Sequence, residues 1–122
     1  MKIGKKIWAI AEGYIPSKST GPVPEMESHE TICILNSGEE DAQIEIMIFF
    51  SDRDPVGPYK ETVKAKRTKH LRLNNLTDPA PIPKDTDFAS TIISDVPVVI
   101  QHTRLDSRQA ANALLSTIAF HE

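Results

Sequence analysis

Residues 43–50 alternate strictly: Ile44, Ile46, Ile48 and Phe50 fall on one side, and Gln43, Glu45, Met47 and Phe49 on the other. A period of two is that of a strand with one face on a core. Met47 and Phe49 make the far end of the second face apolar, which predicts a subunit contact or a covering loop. Residues 31–36 read as a second strand, and the polar run 36–41 as the turn joining the two. Val63 and Ala65 alternate with Thr62, Lys64 and Lys66, and Leu71 and Leu73 with His70, Arg72 and Asn74. The charged stretch 66–69 breaks the apolar face and reads as a turn or bulge between two strands. Another strand opens at Pro97, since proline suits a strand's first residue or an edge. Residues 7–13 and 87–93 read as strands with less regular alternation.

The C-terminal segment carries two patterns. Residues 108–115 are good helix formers that Ser107 could cap, yet Leu114, Ile118 and Phe120 alternate with Leu115, Thr117 and Ala119. The expectation is a short helical or turn segment and then a final strand. Stretches 16–24, 54–58 and 78–83 are rich in proline and read as loops bounded by strands. About eight short strands at even spacing, with almost no helical periodicity, predict an all-β protein. Its architecture is expected to be an antiparallel β-sandwich with at most one short helix. A length of 122 residues fits a single domain over 1–122.

Composition narrows the function classes. A net charge of −3 excludes a whole-molecule field that would concentrate nucleic acid or acidic lipid. Cys33 is the only cysteine, so no intrachain disulfide forms, and its apolar neighbours predict a buried structural thiol. Lys2, Lys5 and Lys6 precede an apolar run, but Glu12 ends it too soon for a signal peptide. No stretch has the length of a membrane-spanning helix, and a cytoplasmic location is expected by elimination.

The segment 101–108 (Gln-His-Thr-Arg-Leu-Asp-Ser-Arg) follows an apolar strand directly, and His102, Arg104 and Asp106 share one strand parity. Such a row can engage a hydroxyl-rich or anionic small molecule, with arginine offering a rigid fork of donors. The competing reading is a structural ion pair between Arg104 and Asp106. Glu12-Gly13-Tyr14 and His29-Glu30-Thr31 stand at other strand–loop junctions, where sandwiches place binding groups. The ligand-site candidates are therefore His102, Arg104 and Asp106, with Glu12, Tyr14 and His29 as neighbours. A metal would draw on His29, His102 and one of Glu12, Glu30 or Asp106, but no zinc or calcium spacing is present, so no metal or cofactor is expected. Ser107, His102 and Asp52 make a hydrolytic trio only by chance, and no nucleophile elbow or P-loop exists, so no catalytic residue is nominated. Lys64, Lys66, His70 and Arg72 suggest a basic stripe. Without interleaved aromatics it reads as a solvated edge, and nucleic acid is not an expected partner.

The run 8–16 (Trp-Ala-Ile-Ala-Glu-Gly-Tyr-Ile-Pro) resembles the opening of the soluble sensory rhodopsin transducer family. So do His29-Glu30-Thr31, Ser51-Asp52 with 55–59, Arg67-Thr68-Lys69-His70, 78–83, 85–90 and 101–109, in order and with similar spacing. The resemblance implies a β-sandwich that assembles as a homotetramer in the cytoplasm. It also implies either a membrane-embedded rhodopsin-type receptor as partner or a stand-alone domain binding a sugar-like molecule.

Overall fold

The computed structural model describes residues 3–122. Its elements are β1 (Lys5–Gly13), β2 (His29–Asn36), β3 (Ala42–Phe50), β4 (Val56–Val63), β5 (Arg67–Arg72), β6 (Phe88–Asp106), β7 (Ala113–Ile118) and β8 (Phe120–His121). A 3-10 turn at Leu73–Asn75 precedes β6. The strands pair antiparallel throughout. The fold is the expected antiparallel β-sandwich, and no α-helix occurs among the described residues.

The two sheets share one strand. The first half of β6 pairs with β3 on one side and β1 on the other, giving the order β4-β3-β6-β1-β8. Its second half pairs with β2 and β7, so the other sheet runs β5-β2-β6-β7. The expected strands over 87–93 and from Pro97 are thus one 19-residue strand. The change of sheet falls between Ser94 and Val98, where Lys5 faces Val98 but Ile7 faces Ile93. Ser94 stabilises this corner by donating from Oγ to the Val96 carbonyl at 2.6 Å. Pro97, lacking an N–H, is placed where the ladder is already interrupted.

The alternation in β3 works as expected. Ile44, Ile46 and Ile48 are buried against Ile32, Ile34, Ile92 and Ile100 from both sheets. Burying each of these side chains contributes roughly 1.5–3 kcal/mol. Tyr59 joins them and donates its hydroxyl to the Ala80 carbonyl at 2.6 Å, satisfying its one polar atom.

Three expectations need correction. First, β4 begins at Val56 inside the stretch read as a loop, and Gly57 and Pro58 belong to it. Proline is tolerated there because β4 is an edge strand, bonded only to β3. Second, the turn between β4 and β5 lies at 64–66, where Lys66 takes a positive φ of 58°. Arg67, Thr68 and Lys69 already pair with β2. Third, Cys33 is half-buried on the outer face, 3.9 Å from the Thr103 hydroxyl, rather than buried in the core. The C-terminal expectation of a helical or turn segment and then a strand is met by its second alternative: residues 108–112 form a bend, and β7 completes a hairpin with β6. Tertiary pairing overrides an Ala-rich helix preference there.

Candidate functional site

Because side chains alternate along a strand, His102, Arg104 and Asp106 continue the inward row begun by Val98 and Ile100. Ile100 and His102 are buried, and the row opens toward solvent only near the strand's end. Opposite it on β2, Ile32 faces His102 and Glu30 faces Arg104. Glu30 has the parity of Ile32 and Ile34, so its carboxylate enters the sandwich and is 1% exposed.

A buried carboxylate must be paired and hydrogen-bonded. His102 Nε2 and Arg104 Nε both bond the Glu30 carboxylate. The Arg104 Nη2 meets Glu12 on β1 as an ion pair. Arg104 therefore links β6 to β2 in its own sheet and to β1 in the other. Burial opposes its charge, but Glu30 and then Glu12 outweigh that effect and hold its pKa above the ordinary value.

Asp106 pairs with Arg108, not with Arg104 as the ion-pair reading expected. Arg108 donates Nε and Nη2 to the two carboxylate oxygens. This bonding, against a small burial effect, keeps the Asp106 carboxyl below its usual range. The Arg108 guanidinium lies 5.6 Å above the Tyr14 ring. The Tyr14 hydroxyl reaches Asp85 at 3.5 Å, and Asp85 also accepts the Ser17 N–H at 3.0 Å. Hydrogen bonding from Ser17 lowers the Asp85 pKa.

Beneath this cluster a polar pin joins three segments. Ser107 N–H donates to Ser28 Oγ at 2.9 Å, and the Ser107 hydroxyl donates to the Met26 carbonyl. Asn74 Nδ2 donates to the Ser28 carbonyl at 2.9 Å. Ser107, anticipated as a helix cap, instead fastens the end of β6 to the start of β2. Asp52, from the chance hydrolytic trio, pairs on the surface with Arg53.

Two hollows open around Arg104. One of about 280 Å³ has an apolar wall of Ile10, Leu115, Ile118 and Phe120, with Glu12, His102 and Arg104 at its polar side. The other, about 320 Å³, is lined by Glu12, Tyr14, Asp87, Arg104, Asp106 and Arg108. They share Glu12 and Arg104 and form one cleft between β1 and the β6–β7 hairpin. A larger hollow of about 570 Å³ lies beside edge strand β4, but the buried charges are not there. The apolar wall beside fixed polar groups makes the Arg104 cleft the better-formed candidate for a ligand site.

Of the sequence candidates, the fold brings together His102, Arg104, Asp106, Glu12 and Tyr14. His29 is left out: it faces Leu105 across the ladder, on the opposite side of the sheet from Glu30, and its Nδ1 contacts the Glu27 carbonyl at 2.8 Å. Glu30 takes the inner position instead. Its parity with Ile32 and Ile34 was the available signal. No group of three His, Cys, Asp or Glu side chains able to hold a metal occurs among the described residues. The basic stretch does not form a single stripe. Lys66 pairs with Glu39 at 3.2 Å, Lys69 with Glu61 at 2.8 Å and Arg72 with Glu27 at 3.8 Å.

The model of a protein family described as Anabaena sensory rhodopsin transducer matches residues 3–121. The chain belongs to that family. A solved structure titled Anabaena sensory rhodopsin transducer is 62% identical, covering 84% of this chain and 100% of its own, with a TM-score of 0.76. A second family-like structure, Thermotoga maritima 1070, is 36% identical over 98% of this chain and 96% of its own, with a TM-score of 0.87. No curated protein sequence matches. The shared fold extends over nearly the whole chain, including the strands that carry Glu12, Glu30 and Arg104. No helix among the described residues is long and apolar enough to cross a membrane.

Proposed function

We propose that this protein is a non-catalytic cytoplasmic signalling module whose cleft takes a small hydroxylated, sugar-like molecule. Its occupancy, or engagement of a rhodopsin-type receptor, is passed to a downstream partner. The observation that carries this reading is Arg104, which spans both sheets while lining both halves of the cleft. A ligand that competes for its guanidinium or for Glu12 changes the linkage between the sheets, and so reaches surfaces remote from the cleft. The ion pairs pre-order the polar groups, so a ligand need not fix them on binding. The Anabaena relative is named for a sensory rhodopsin, which supports a receptor of that class here.

Self-association belongs to the same proposal. Leu114 is exposed on β7 outside the cleft, and Phe49, Ile7 and Ile93 are exposed on β3, β1 and β6. Apolar surface of this extent marks contact surfaces, and a homotetramer is the assembly we propose.

The test begins with a thermal-shift screen of sugars and polyols, followed by calorimetric titration of the best binder into wild type and Arg104→Ala. Losing one charged hydrogen bond weakens affinity about ten- to a hundredfold. If Arg104→Ala melts earlier yet binds as wild type does, Arg104 is structural and the cleft is not the site. Titration against a detergent-solubilised microbial sensory rhodopsin separates receptor coupling from a stand-alone binding domain.

A further inference from the structure

The cleft's charge balance points beyond the presence of a ligand to its kind. Three carboxylates, Glu12, Asp87 and Asp106, line the outer hollow against two guanidiniums, Arg104 and Arg108. A fourth carboxylate, Glu30, lies buried behind Arg104. Both guanidiniums already have partners: Arg104 meets Glu30 and Glu12, and Arg108 forks onto Asp106. The imidazole of His102 is likewise turned to Glu30.

We infer that the cleft selects against anionic ligands and takes an uncharged or amine-bearing hydroxylated compound with an apolar face. The inference rests on the ligand-binding reading above. An arriving carboxylate or phosphate finds each guanidinium already ion-paired, Arg104 Nη2 by the charge of Glu12 although it keeps no hydrogen bond there. It must displace a carboxylate that is already held or sit among several like charges, and both are unfavourable in a partly dehydrated cleft. A hydroxyl group faces no such penalty, because it donates to carboxylate oxygens and accepts from the remaining guanidinium N–H groups. A ligand amine gains further from the acidic excess. The inner hollow adds the second half of the specificity, since Leu115, Ile118 and Phe120 offer an apolar wall that the C–H face of a ring can cover.

The test uses three matched series, glucose, galactose and mannose, each as the neutral sugar, the 2-amino sugar and the uronic acid. Each is titrated calorimetrically into the full chain. In every series that binds, the neutral or amino member is expected to bind at least about tenfold tighter than the uronate, a gap of the size one like-charge contact produces. The double variant Glu12→Gln with Asp87→Asn, which removes two negative charges and leaves both guanidiniums, is expected to narrow that gap severalfold. A uronate that binds as well as its neutral partner overturns the charge inference and leaves the binding reading standing. A gap unchanged in the double variant also overturns it, because selectivity would then not come from these carboxylates. If no member of any series binds, the binding reading fails and this inference fails with it.

Discussion

At the scale of single residues, Glu30 and Glu12 make a natural contrast, since both pair with Arg104 but from opposite environments. Glu30 is 1% exposed and Glu12 75%. Removing Arg104 leaves a buried carboxylate with only His102 beside it. Arg104→Ala is therefore expected to destabilise by roughly 2–4 kcal/mol, somewhat below a fully buried pair because Arg104 keeps some solvent contact. Glu12→Gln should change stability by no more than about 1 kcal/mol, as exposed pairs do. Urea unfolding of the two variants measures both, and equal effects would contradict the burial contrast. Asp106 and Asp85 set the acid side. Both carboxyls are held below the ordinary aspartate range in the folded state, Asp106 by Arg108 and Asp85 by Ser17. A depressed carboxyl contributes stability that is complete above its unfolded value and is lost as pH falls through the folded one. The melting temperature should thus drop as pH falls below about 4. Asp106→Asn should flatten part of that slope, and a wild-type profile level down to pH 2 would refute the assignment.

At the scale of elements, the site depends on close approach between β1 and β6. Gly13 faces Phe88 across the ladder, and a Cβ at Gly13 would come within 2.4 Å of the Phe88 ring. Gly13→Ala must therefore displace either the ring or the end of β1 that carries Glu12. It is expected to lower stability by about 1–3 kcal/mol and to weaken ligand binding as well. Unchanged melting and binding would show that the ring has room to move. Deeper in the sandwich, Ile46→Ala should cost about 2–5 kcal/mol by removing a wholly buried side chain. Its binding per folded molecule should be preserved, because Ile46 lies outside the cleft. Strand β7 shows how far sequence reasoning reaches at this scale. Its alternation from Leu114 to Phe120 was legible, but so was a helix over 108–115. Only the free edge of β6 decided between them by offering hydrogen-bond partners to 113–118.

At the scale of the whole molecule, the side chains of β7 and β8 are among the most exposed large apolar groups of the described residues. Leu114 is 70% exposed and Phe120 66%. Residues 113–120 contain no charge and no proline, the devices that normally keep an edge strand from pairing. Light scattering after size exclusion is expected to report the mass of a tetramer. Leu114→Lys should shift it toward smaller species, as should Phe49→Glu if the β3 face also takes part. A wild-type monomer at micromolar concentration would rule the assembly out.

The sequence by itself determined the class of fold, because a two-residue period such as that of Ile44, Ile46 and Ile48 is a local property that any strand with one buried face must show. It also determined that His102, Arg104 and Asp106 share a face, for the same reason. Tertiary structure decided what each of them meets. Register between strands distant in sequence put Glu30 opposite Arg104, whereas alternation along β2 alone set His29 on the other side of the sheet, and Asp106 took a partner only two residues along, Arg108. The corner at 94–98 merged two expected strands and placed the polar row in the second sheet. No local pattern encodes the meeting of Arg104 with Glu30 and Glu12, since it depends on which strands become neighbours and at what offset.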